Sequence, residues 1–184
     1  MPYYLVASLP PLSLDEPPTW TAEEFLFHGQ GALTPEEWRE LALLVEDRAA
    51  EGGSGFAAWW HGLDTQIRNV QARIRAHRLN VDAHSFVRMH EGFDVAVEKT
   101  ITEAMTLPNP LERELAIDRC RWAALDERVL NDPYGLETVL AYALRLRMVE
   151  RWARLSEETG MERIETFIDE IADESIELQR LGGA

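Results

Sequence analysis

The stretch LETVLAYALRLRMVERWARL, residues 136–155, decides how this chain folds. Leu136, Leu140, Leu144, Met148, Trp152 and Leu155 recur at steps of four or three. Val139, Tyr142, Leu146, Val149 and Ala153 form a second stripe beside the first. Together they cover more than half of a helix surface, so this helix needs neighbours on at least two sides. Arg145, Arg147, Glu150, Arg151 and Arg154 leave only a narrow wet strip. The pattern predicts a central helix with the others packed against it.

The segments before it supply those neighbours. Thr21 with Glu24, and Thr34 with Glu37, fit capping boxes, the second with Pro35 at the first helical position. They predict a short helix over 24–30 and a longer one over 35–49. Trp60, Leu63, Ile67, Val70 and Ile74 step by three and four and predict a long helix over 56–79. Asn80 and Asp82 break and recap the chain. A short helix is expected over 83–91, then Gly92, then a helix over 93–105. Asn109 and Pro110 open a helix over 110–130, and residues 131–135, NDPYG, turn into the central one. A last amphipathic helix is expected over 161–178.

Two stretches read differently. Residues 3–9, YYLVASL, are rich in β-formers, end at Pro10-Pro11 and predict a short extended arm continuing as coil to residue 20. Residues 51–55, EGGSG, are a glycine-rich connector. They lack the lysine and the following Ser or Thr of a phosphate loop. The expected architecture is all-α: a single multi-helix, bundle-like domain over 1–184, with a short extended N-terminal arm.

Charge is the unusual total. The 33 acids against 18 basic residues give −15. Such a chain repels nucleic acid and anionic lipid on average. The balance is uneven: residues 157–177 hold nine acids and one base, whereas the helix around Arg68, Arg73, Arg75, His77 and Arg78 is basic. Pairing of these two segments is one expectation. With a single cysteine, Cys120, neither an intrachain disulfide nor a cysteine-based structural zinc site is available. No run approaches the roughly 18 apolar residues of a membrane span. The N-terminus, broken by Pro2, Pro10 and Pro11, makes a poor signal peptide.

No catalytic, cofactor or metal motif emerges. The five histidines show no HExxH, and Glu24 with His28 is not repeated as a di-iron bundle requires. Gly53-Ser54-Gly55 lacks the spacing of a nucleophile elbow. The candidate functional residues are therefore interaction residues. Tyr3 and Tyr4 are read as anchors or as plugs in a core gap. Trp59, just after the glycine loop, is read as reaching a partner. Arg68, Arg73 and Arg75 form a basic face.

Several stretches together resemble a known family. They are YYLVASLPPL at the N-terminus, IRNVQARIRAHRL over 67–79, PLERELAIDRCRWAALDE over 110–127 and LETVLAYALRLRMVERW over 136–152. The set is similar to a small bacterial family of uncharacterised proteins encoded among the subunits of V-type (A/V-type) ATPases. That family stands where a stalk component of the C type, the d type in eukaryotes, is expected, in shortened form. The resemblance implies a non-catalytic, all-helical subunit or accessory protein of a rotary ion-translocating ATPase. Its expected partners are the central stalk or membrane rotor ring. It would be cytoplasmic, peripheral to the inner membrane through the complex, with no cofactor and no nucleic acid. The alternative is a free-standing helical adaptor or regulator. An enzyme assembled from histidines and carboxylates is the third reading.

Overall fold

A computed structural model describes residues 2–52 and 55–155. Among these residues seven α-helices follow one another: α1 (Tyr3–Ser8), α2 (Ala22–Gln30), α3 (Pro35–Val45), α4 (Gly55–Leu79), α5 (Val95–Ala104), α6 (Pro110–Val129) and α7 (Leu136–Ala153). Short 3-10 turns lie at Ala49–Glu51 and Ala83–Phe86. No strand occurs among the described residues. The all-α class is as expected. The anticipated helix over 161–178, and its pairing with the basic face of α4, lie outside the described residues.

Helix α7 is the central rod. Val139 to Leu144, Leu146, Met148 and Val149 are all buried, and α1, α2, α3 and α6 pack around it. On the other side α6 packs on α5, and α5 on α4. Phe25, Leu41, Leu44, Ile67, Ile101, Ile117 and Leu125 close a continuous apolar core with it.

The local signals explain where helices start and stop. Both threonine capping boxes form: Thr21 and Glu24 for α2, Thr34 and Glu37 for α3. Asn109 accepts from the Leu111 N–H at 2.9 Å, with Pro110 opening α6. Helix α3 ends at Val45 rather than running to residue 49. Asp47 turns left-handed (φ 62°), and the Arg48 N–H reaches back to the Leu43 carbonyl at 2.7 Å, a Schellman stop. Asn80 (φ 54°) ends α4 the same way, the Val81 N–H donating to Ala76 at 3.0 Å.

The N-terminal arm departs from expectation. Residues 3–8 are helical, not extended. An isolated strand has no ladder partner, whereas a helical turn satisfies its own backbone; the Val6 N–H donates to Pro2 at 2.9 Å. Helix formation also swings Leu5 into the core. Only from Leu9 onward is the arm coil, with Leu12, Leu14 and Trp20 lying partly buried against the core.

Candidate interaction surface

The second departure creates the most distinctive surface of the molecule. Residues 87–94 are not helical. They run along α4, held by two buried amides. Asn69 donates its side-chain N–H to the Arg88 carbonyl at 2.7 Å and accepts the Arg88 N–H at 2.9 Å. Gln66 does the same for Asp94, donating at 2.6 Å and accepting at 2.9 Å. Each amide thus meets both polar groups of one loop residue, as a neighbouring strand would. One turn earlier, Gly62 lets the backbone come closer still: a Cβ there would lie 2.7 Å from the Glu91 carbonyl oxygen. Gly62, Gln66 and Asn69, spaced by four and three, form one stripe of α4 on which the segment lies.

Because α4 captures the backbone, the side chains are turned outward. Met89 is 100% exposed, Phe86 60% and Phe93 61%, with Leu79, Val81 and Val95 also exposed nearby in sequence. Six large apolar residues exposed between 79 and 95, two of them on the backbone-pinned segment, mark an interaction surface rather than scattered exposure. Asp94 closes the loop by capping α5, accepting from Ala96 at 2.7 Å and Val97 at 3.1 Å.

Beneath the loop, α4 is tied to the core through charge. Arg121 of α6 donates two hydrogen bonds to Asp64, at 2.7 and 3.1 Å, and one to Asp118 at 2.9 Å. Asp118, only 1% exposed, also accepts from Trp152 at 2.8 Å and from Arg151. Desolvation works to lower the Arg121 pKa, but Asp64 and Asp118 together outweigh it and hold it above the ordinary arginine value. This chain of alternating charge joins α4, α6 and α7 and satisfies its buried carboxylate three times over.

The residues singled out in the sequence take separate places. Arg68 is spent on Asp64 one turn back, at 2.6 Å, and Arg73 on Glu98 of α5, at 3.2 Å. Arg75 meets no carboxylate among the described residues and lines a cleft with Arg68, Phe86 and Arg88. Trp59 lies partly buried, its ring 5.4 Å from Phe56 and beneath the Arg128 guanidinium at 5.3 Å. Tyr3 and Tyr4 do not plug the core. Both are exposed, and Tyr3 packs on Tyr134 at 5.1 Å. With Tyr134 they form a second aromatic patch.

Sequence reading missed Gly62, Gln66, Asn69, Phe86, Met89 and Phe93. A signal was present: Gln66 and Asn69 are polar residues that lie buried beside the apolar seam of α4, and a buried amide needs partners.

The remaining reactive groups are scattered. Burial pushes the half-buried Cys120 thiol upward, away from the reactive thiolate. His28 stacks on Trp20 at 4.5 Å. Among the described residues no three His, Cys, Asp or Glu side chains converge as a metal set. No helix there is long and apolar enough to cross a membrane.

A family model described as a protein of unknown function (DUF2764) matches residues 94–175. The match begins at Asp94, takes in α5, α6 and α7, and leaves out most of the exposed loop. No curated protein and no solved structure matches the chain.

Proposed function

We propose that this chain is a non-catalytic helical subunit or accessory protein of a V-type (A-type) rotary ATPase, a stalk component of the C/d type serving ion transport. Its partners would be other ATPase subunits at the central stalk or rotor ring. It would be cytoplasmic and peripheral to the membrane through that complex. The observation that carries the interaction role is the loop pinned by Gln66 and Asn69, with Phe86, Met89 and Phe93 turned outward. Pre-ordering such a segment lowers the entropy lost on docking. The identity of the larger machine rests on the resemblance of residues 3–12, 67–79, 110–127 and 136–152. Affinity purification of the tagged chain from membranes at low salt tests it. The expected result is stoichiometric recovery of ATPase subunits; their absence with unrelated partners present contradicts it.

A free-standing adaptor is the second reading. It is favoured by the separate exposed patch of Tyr3, Tyr4 and Tyr134, since two apolar surfaces suit a protein that bridges two partners. Recovery of two unrelated proteins, each lost on changing one patch only, would select this reading.

A further inference from the structure

The cleft of about 420 Å³ between α4 and the segment that begins at the 3-10 turn Ala83–Phe86 has a charge opposite to that of the chain. Its lining holds Arg68, Arg75 and Arg88 against Asp47 and Asp64, in a protein of net charge −15. The carboxylates on the cleft wall are already neutralised from within. Asp64 is held by Arg121 and Arg68, and Asp47 by Arg147 at 3.2 Å. Among the described residues Arg75 and Arg88 are not. Both are exposed, both line the cleft, and neither meets a carboxylate among the described residues. Phe86 lines the same cleft and is largely open to solvent.

We propose that this cleft receives an acidic, leucine-bearing segment of a partner protein. Its carboxylates would pair with Arg75 and Arg88, and its apolar side chains would cover Phe86. Arginine forks hold carboxylates in two-pronged pairs. The exposed Phe86 beside them favours a partner with apolar side chains over one made of phosphates. The strongly negative remainder of the chain disfavours a polyanion such as nucleic acid. The proposal rests on the reading of the chain as an interaction protein, but not on which assembly it joins.

The test uses the full chain and a fluorescent synthetic amphipathic helix with glutamates on one face and leucines on the other. Anisotropy should detect binding that weakens as salt rises. The double variant R75E/R88E, at exposed positions, should weaken it at least about tenfold. F86S should weaken it too, and Y4S, on the other patch, should leave it unchanged. Circular dichroism establishes that each variant folds. Several results would overturn the proposal. These are no uptake of the glutamate peptide, equal uptake of a lysine version, equal or tighter binding of a single-stranded oligonucleotide, or an affinity indifferent to R75E/R88E. A concentration-dependent dimer that R75E/R88E dissolves would give the cleft to a second copy, and so would also overturn it. Membrane purification separates this inference from the functional reading. If the wild-type chain recovers ATPase subunits but takes up no peptide, the cleft assignment fails alone. If the wild-type chain takes up the peptide but recovers no ATPase components, the ATPase reading fails alone.

Discussion

Gln66 holds Asp94 by both ends of its amide, across 28 residues of chain, and so decides where the exposed loop lies on α4. Asn69 repeats the contact with Arg88 one turn later. Replacing either by leucine takes the partners from two partly buried backbone groups at once. A loss of about 2 kcal/mol for each is expected from the cost of unmet buried polar groups. Hydrogen exchange should show the Arg88 or Asp94 amide losing protection while those of α7 keep theirs.

Gly62 tests the same clamp by sterics alone. A methyl at this position would lie 2.7 Å from the Glu91 carbonyl, which is backbone and cannot rotate away. Gly62→Ala raises helix propensity by about 1 kcal/mol, so a substitution governed by α4 alone would stabilise. The expected outcome is the reverse: a lower melting temperature, with faster exchange confined to residues 87–94.

Asp118 accepts from Arg121, Arg151 and Trp152 while almost fully buried. Asp118→Ala leaves Arg121 facing only Asp64. A loss of about 3 kcal/mol is expected, as for other broken buried pairs. Urea unfolding measures it.

Tyr142 carries the alkaline limit of stability. Burial pushes its hydroxyl up to about 12, from an ordinary value of 10, and the hydroxyl has no hydrogen-bond partner among the described residues. The folded state therefore holds this proton longer than the unfolded chain. Stability is fully present below about pH 10 and falls as pH rises towards 12. Tyr142→Phe should flatten that fall and change stability at pH 7 by less than about 1 kcal/mol. Thermal melts at stepped pH check both.

The architecture was legible where periodicity and capping agree. The two stripes over 136–155 placed α7 at the centre, and Thr21, Thr34 and Asn109 placed three helix starts. What failed had long-range causes. Residues 83–91 read as a helix because Phe86, Val87 and Met89 look like core residues in a window. Their backbone is instead satisfied from α4, by the side chain of Asn69, 19 positions from Arg88. Residues 3–8 read as a strand because β-propensity carries little information without a partner strand. Trp59, read as reaching a partner, lies partly buried with Arg128 of α6 over its ring, a contact no local window shows. Of the candidate site, Arg68, Arg73 and Arg75 were visible as a basic face; which of them stay unpaired depended on Asp64 and Glu98.

The pinned loop is the proposed docking surface of this helical chain. The most direct measurement compares wild type with the triple variant F86S/M89S/F93S, recording melting temperature and the yield of co-purified ATPase subunits from membranes at low salt. These side chains point into solvent, so the melting temperature should stay within a few degrees, while the recovered subunits should fall at least about tenfold. Undiminished recovery by a folded triple variant would contradict the claim.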